Sequence, residues 1–382
     1  MKNNPIKALP SLGQSIWYDN IQRSMLRSGE LNRLIEEDDL RGVTTNPAIF
    51  QKAIAESNDY DDSLAHLCRE FPGQSYEEHF VSLAIEDIQE TADILRPVYD
   101  RTQGEDGMVS IEVSPLLAYD TDGSIAEGKE LFARIGRPNV MIKIPATKAG
   151  IPAIEELIAS GINVNATLLF SVERYVEVAE AYIRGIRKRY EKGADISRIA
   201  SVASFFVSRV DAAVDKALAE RTTTANSWER TKLDSLGGKV AVANAKIAYL
   251  RYQKLFSESH FGDLHKAGAL NQRLLWASTG SKNPAYSDIL YVQSLIGPDT
   301  VNTVPPATYE AFKDHGRAES TLLQGIGYAE DVLNQVKEFD IDMDTITRRL
   351  EEEGVAAFAK AYNELLAAIG EKGALLIHNK AS

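Results

Sequence analysis

Lys143 stands in an otherwise apolar run, VMIKIP. In an extended strand alternate residues face opposite sides, so Met141 and Lys143 share one face while Val140, Ile142 and Ile144 share the other. If the aliphatic trio packs beneath outer helices, the lysine points into an enclosed interior. Removing an amine from water favours its neutral form, and a neutral amine is what attacks a carbonyl to form a Schiff base. The plainer alternative is a lysine at a strand end whose head reaches solvent. Two acids occupy comparable positions: Glu112 in SIEVSP and Asp19 at the end of SIWYD. Carboxylates at strand ends suit proton transfer to and from hydroxyls. For each, an ion pair or a cap on the following helix is the bland alternative.

Amides and hydroxyls recur at similar places. Asn46 precedes Pro47 in GVTTNPAIF, a pairing that makes a good helix start by itself but leaves Thr44 and Thr45 unexplained. Asn165 and Thr167 lie in INVNATLLFS, where Thr167 could equally cap a helix beginning near Ser171. Arg209 follows the run SVASFF, and Ser278, Ser281 and Lys282 lie in WASTGSKNP. Cations and hydroxyls after the last strands of an α/β barrel often hold phosphate, Arg through a bidentate fork and Lys as a point charge. A solvated charge is the alternative for both cations. Neither the six histidines nor the single cysteine, Cys68, shows a metal-ligand spacing such as HExxH, and there is no GxxxxGK[ST]. Gly325-Ile326-Gly327 lacks the third glycine of a dinucleotide fingerprint and follows no expected strand. No metal and no cofactor are expected.

The elements that must position these residues are short β-rich runs alternating with longer amphipathic segments. Eight runs stand out: 15–19, 41–45, 108–113, 139–144, 163–167, 199–205, 274–278 and 300–304. Segments of helical spacing, such as 171–188 and 210–219, lie between them. Such alternation implies a parallel sheet with helices outside it, and eight units favour a closed (β/α)8 TIM barrel over an open sheet. Residues 220–261 exceed what a barrel connection needs; Gly237-Gly238 breaks them, and 240–256 reads as a helix. The tail over 317–369 reads as two or more helices broken near 339–344. One domain over 1–382 is expected, with a helical extension over about 317–370 packed on the barrel.

At 382 residues with 44% apolar and 25% charged side chains, the chain can bury a large core. A net charge of −13 disfavours nucleic acid and anionic membrane as partners, though a few local cations can still hold a small anion. One cysteine permits no internal disulfide, the amino terminus has no apolar leader-type stretch, and no apolar run is long enough to span a membrane. A cytoplasmic setting is the expectation.

Taken in order, GVTTNPAIF, SIEVSP, VMIKIPAT, INVNATLLFS and SFFVSRVD resemble the motifs of the transaldolase family, over most of the chain from Ser15 to about Val304. Length and helical tail are similar to the longer bacterial form. The resemblance implies transfer of a dihydroxyacetone unit from sedoheptulose 7-phosphate to glyceraldehyde 3-phosphate, giving erythrose 4-phosphate and fructose 6-phosphate, in the pentose phosphate pathway. It implies Lys143 as the Schiff-base nucleophile and Asp19 as the group taking the hydroxyl proton during carbon–carbon cleavage. It implies Glu112 as a proton shuttle through a water held with Thr167. Asn46 and Asn165 would bind the dihydroxyacetone hydroxyls, Ser204 and Phe206 would line the site, and Arg209 and Ser278 would grip phosphate. Shorter family members place an arginine just after the serine matching Ser278; here Ser278-Thr279-Gly280-Ser281-Lys282 stands, and Lys282 is the expected substitute. Two other readings are a fructose 6-phosphate-type aldolase on the same scaffold and a non-catalytic sugar-phosphate binder.

Overall fold

The strands are buried almost throughout, on both faces, as parallel strands covered by helices must be, and the Gln, Ser, Asn and Thr side chains they carry are buried with them. In the computed structural model, which describes residues 4–379, they are β1 (Gln14–Tyr18), β2 (Gly42–Val43), β3 (Met108–Glu112), β4 (Val140–Pro145), β5 (Asn163–Leu169), β6 (Ser201–Phe206), β7 (Arg273–Ala277) and β8 (Thr300–Val304). Each pairs in parallel with its neighbours in the chain, and β8 pairs with β1 to close a barrel. The fold is a (β/α)8 TIM barrel. Residues 1–3 of the amino-terminal stretch weighed above, and the side chain of His378, lie outside the described residues. No helix among the described residues is long and apolar enough to cross a membrane.

The element ends depart from expectation for identifiable reasons. The expected run 41–45 yields only two ladder residues, because Thr44 to Asn46 already leave the sheet toward the helix Pro47–Ala55, which Asn46 caps. In the other direction β5 runs on to Leu169 through a bulge, with Leu168 in the left-handed region at φ 62°. The cap of the helix Val172–Glu191 is Ser171, whose side chain accepts from the Arg174 N–H; Thr167 does not cap it. The long insertion holds the helices Ser227–Leu236, Val240–Leu255 and Glu258–Lys266. Residues 317–325, expected within the helical tail, form no helix. The N–H groups of Thr321 and Leu322 bond to the Ile296 carbonyl instead, and Leu322 is fully buried against Gly297. Helices follow at Ile326–Glu338 and Met343–Asn379.

Register and alternation fix which side chains enter the barrel. Trp17 pairs with Thr303, Glu112 with Lys143, and Lys143 with Asn165, so these share the inner face at neighbouring strands. The opposite face of β4 packs outward: Ile142 lies within contact of the position where a side chain on Gly128 of the helix Thr121–Ile135 would begin. The amino-terminal end of the barrel is closed by a buried polar cluster. Arg273 donates to Asp106 at 2.8 Å and to Ser15 at 2.9 Å, and Asp106 also accepts from Ser15 at 2.6 Å and Trp17 at 3.1 Å. Burial pushes the Asp106 carboxyl up, but the Arg273 guanidinium and these donors outweigh it and hold the carboxyl low. Gly42 admits the Trp17 indole: a Cβ there would lie 2.5 Å from the ring.

The helix Met343–Asn379 contacts β5, the short 3-10 turn Pro115–Leu117 and the helices Pro47–Ala55, Asp61–Glu70 and Ser208–Thr222. The turn and the helices Pro47–Ala55 and Ser208–Thr222 begin directly after strands, at the carboxyl end of the barrel. Pairs distributed along the helix tie it down: Glu351 to Arg174 at 3.1 Å, Tyr362 to Glu77 at 2.6 Å and Lys372 to Asp61 at 2.7 Å.

Candidate active site

Lys143 is 5% exposed, so its head does not reach bulk solvent. Its Nζ donates to the Thr45 carbonyl at 2.8 Å and lies 3.7 Å from Glu112 Oε2, an ion pair beyond hydrogen-bond length. The Thr45 carbonyl is steadied because the Thr45 hydroxyl is bonded to the Ser110 carbonyl on β3 at 2.8 Å.

Glu112 ends β3. Burial pushes its carboxyl up to about 7, with the charge of Asp19 adding to the rise and Lys143 opposing it. Neither carboxyl oxygen of Glu112, nor the hydroxyl of Thr167 on β5, has a hydrogen-bond partner among the described residues. Buried polar atoms are rarely left so in native proteins except where a water or a ligand is received. Asp19 lies one residue beyond β1, its N–H bonded to the Val304 carbonyl at 2.9 Å. Burial raises its pKa; a 2.7 Å hydrogen bond from Thr44 and the charges of Lys143 and Lys282 oppose that rise. Asp19 and Glu112 therefore flank the lysine from β1 and β3, and neither caps a helix.

The amide of Asn165 is fixed in both senses. Its Nδ2 donates to Ser110 Oγ at 3.1 Å, and its Oδ1 accepts from Ser204 Oγ at 2.6 Å. Asn46 Oδ1 accepts from the Ile49 N–H at 3.1 Å as a helix cap, which leaves its NH2 group unspent. Phe206 packs on Phe170, centroids 5.2 Å apart, and the Arg209 guanidinium sits 5.4 Å from the Phe206 ring centroid. Arg209 is the second residue of the helix Ser208–Thr222. It is half-buried, no acidic side chain pairs with it among the described residues, and burial lowers its pKa. The Ser208 hydroxyl is 2.9 Å from that of Ser278, whose backbone is left-handed at φ 54°. Lys282 is exposed, on the loop after β7.

The geometry brings Lys143, Glu112, Asp19, Thr167, Asn165 and Ser204 to one end of the barrel interior, with Arg209 and Ser278 on adjoining connections. Sequence reading gave no role to Ser110, Ser208 or Thr303. Ser110 stands two residues before Glu112 and so shares its face, a signal present in the alternation of MVSIEV. Ser208 is marked only by adjoining Arg209, and Thr303 by nothing local. Among the described residues no group of three or more His, Cys, Asp or Glu is arranged to hold a metal ion.

The model of the transaldolase/fructose-6-phosphate aldolase family matches residues 16–369. The transaldolase of Trichodesmium erythraeum is 45% identical over 375 residues, covering 97% of this chain and 98% of that one. Transaldolase 2 of Streptomyces coelicolor is 47% identical over 362 residues, covering 94% and 95%. The transaldolase of Thiobacillus denitrificans is 46% identical over 367 residues, covering 96% of this chain and all (100%) of its own.

Proposed function

This chain belongs to the transaldolase/fructose-6-phosphate aldolase family, and from that premise we propose that it is a transaldolase whose Schiff-base lysine is Lys143. The observation that carries the reading is the enclosure of that lysine, 3.7 Å from a carboxyl group poised near neutrality and facing a second buried acid across the barrel.

The neutral amine of Lys143 attacks the ketose carbonyl, and Glu112 moves protons to and from the carbinolamine oxygen through a water held with Thr167. A carboxyl titrating close to 7 can both give and take a proton at neutral pH. Loss of water leaves a protonated imine. Asp19 then takes the proton of the C4 hydroxyl as the C3–C4 bond breaks, and the electron pair of that bond flows into the imine to form an enamine. The aldehyde departs, an acceptor aldehyde enters, and the same steps run in reverse, Asp19 returning its proton to the new hydroxyl. Asn46 and Asn165 hold the hydroxyls of the three-carbon unit. Arg209, half-buried and without a carboxylate partner among the described residues, supplies the fork for the substrate phosphate, helped by Ser278 and by Lys282 in place of the arginine of shorter relatives. Fructose 6-phosphate with sodium borohydride should trap the three-carbon or six-carbon unit on Lys143 alone by peptide mapping, while Lys148, exposed in the loop beyond β4, stays unmodified. An adduct on another lysine, or substantial transfer by Lys143→Arg, would sink the reading. Release of free dihydroxyacetone as fast as transfer to erythrose 4-phosphate would make the enzyme an aldolase.

A further inference from the structure

Thr44 has one hydroxyl proton, and Asp19 takes it: Thr44 Oγ1 donates to Asp19 Oδ1 at 2.7 Å. A second hydroxyl, that of Thr303 on β8, lies 2.6 Å from Thr44 Oγ1. With Asp19 ionised, the proton between the two threonines must come from Thr303, since Thr44 has none left to give. The chain runs from Thr303 through Thr44 to Asp19. Thr44 and Thr303 are 2% and 3% exposed, so water does not compete for either hydroxyl. Thr303 pairs in register with Trp17, whose indole is fully buried, and this fixes the face that Thr303 presents.

We infer that Thr303 is a positioning residue for Asp19, holding the Thr44 hydroxyl aimed at one carboxylate oxygen and leaving the other to receive the substrate proton. The inference rests on the transaldolase reading, in which Asp19 must be ionised when the C4 hydroxyl arrives. Burial works against that ionisation, and the Thr44 hydrogen bond is among the forces opposing burial. A hydroxyl that is itself a hydrogen-bond acceptor donates more strongly, and one without a fixed donor behind it is free to rotate away. The other charged groups acting on Asp19 are Lys143 of β4, Lys282 of the loop after β7 and Glu112 of β3. None of these is altered by a change at Thr303.

The step to measure is carbon–carbon cleavage itself: single-turnover release of glyceraldehyde 3-phosphate from fructose 6-phosphate, followed against pH. Thr303→Val keeps shape and removes the hydroxyl; the acid limb should move to higher pH by about half a unit or more. Borohydride trapping at Lys143 near neutrality should be unchanged, and Thr303→Ser should restore the wild-type limb. Thr44→Val should shift the limb further, and adding Thr303→Val to it should change nothing more, because Thr303 acts through Thr44. Thr303→Ala reads the same limb if the valine variant does not fold. An unmoved limb, or a Thr303 effect that adds to that of Thr44→Val, overturns the inference. Absence of trapping at Lys143 in the wild type would instead defeat the transaldolase reading itself.

Discussion

Glu112 is held in a state that costs stability. Its carboxyl is raised from 4.5 to about 7 by burial, so the folded chain holds its proton where the unfolded chain has lost it. The contribution to stability is full below the unfolded value and is lost as pH rises through the folded one. Glu112→Gln removes that dependence. Its melting temperature should gain on the wild type between pH 4.5 and pH 7 and stay ahead above that window, as differential scanning calorimetry can read. Turnover should fall by about two to four orders of magnitude, the usual share of a general acid or base. A variant with normal turnover would make Glu112 structural. At the proposed phosphate site, Arg209→Ala should weaken phosphorylated substrates by roughly 1.5–3 kcal/mol, read from kcat/KM. Lys282→Ala should do less, since Lys282 is exposed and Arg209 half-buried; free dihydroxyacetone should be hardly affected by either. Equal losses for both substrate types would assign the two residues to the fold. Much of this cluster was legible from residue type and strand-end position: Lys143, Glu112, Asp19 and Asn165 declare themselves by polar chemistry inside apolar runs. Thr303 does not, because its partner Thr44 is 259 residues away and no local pattern encodes a contact made by closing the barrel.

Elements obey the same division. Strand-type runs were legible from their concentration of β-branched and aliphatic residues between longer amphipathic segments, and all eight form. Ends were less so, since β2 stops where Asn46 begins to cap a helix and β5 persists through the bulge ending at Leu169. The path of the carboxyl-terminal helix was beyond sequence periodicity, which gives an apolar stripe without saying what it covers. Part of its course is explained by Gly354, where a Cβ would come 3.0 Å from Leu168, the residue whose left-handed backbone forms the bulge. Tyr362 on this helix is 3% exposed, stacks edge-on against Phe80 with centroids 5.7 Å apart, and walls a cavity of about 10 Å³ beside Asn46 and Glu112. Two substitutions separate its hydrogen bond from its bulk. Tyr362→Phe should cost about 1 kcal/mol through the lost bond to Glu77, with turnover preserved. Tyr362→Ala should cost roughly 3–5 kcal/mol and admit water toward Glu112, lowering the pH at which that carboxyl titrates and shifting the pH–rate profile to the acid side. If Tyr362→Ala leaves the profile unmoved, the helix only adds stability.

At the scale of the whole molecule, the barrel separates what holds it together from what it does. The carboxyl end carries Lys143 with carboxyl oxygens and a hydroxyl that have no hydrogen-bond partner among the described residues; the amino end carries Arg273 and Asp106, each hydrogen-bonded and buried. Both are polar clusters inside an apolar shell, yet their electrostatics differ in sign of effect. Burial wins at Glu112 and keeps its proton available; at Asp106 the guanidinium wins and the carboxyl stays ionised. Such a cluster is expensive to break by halves, since removing Arg273 leaves the buried Asp106 carboxylate with only the longer ion pair to Arg41, at 3.6 Å, among the described residues. Arg273→Met should therefore destabilise by roughly 3–5 kcal/mol, and the Asp106 carboxyl, which keeps Arg41 at 3.6 Å but loses its closest cation, should titrate higher and add a fall in stability as pH rises. Arg273→Met combined with Asp106→Leu removes both charges and should recover much of the loss, with Ser15 and Trp17 left short of a partner. Chemical denaturation across pH reads all three proteins. Below the melting range both variants should keep kcat near wild type, because Glu112, the proposed proton shuttle, ends β3 while Asp106 precedes its start. A large loss of kcat in well-folded Arg273→Met would mean that the two ends of the barrel are coupled, and that the charge cluster at its base tunes the lysine above it.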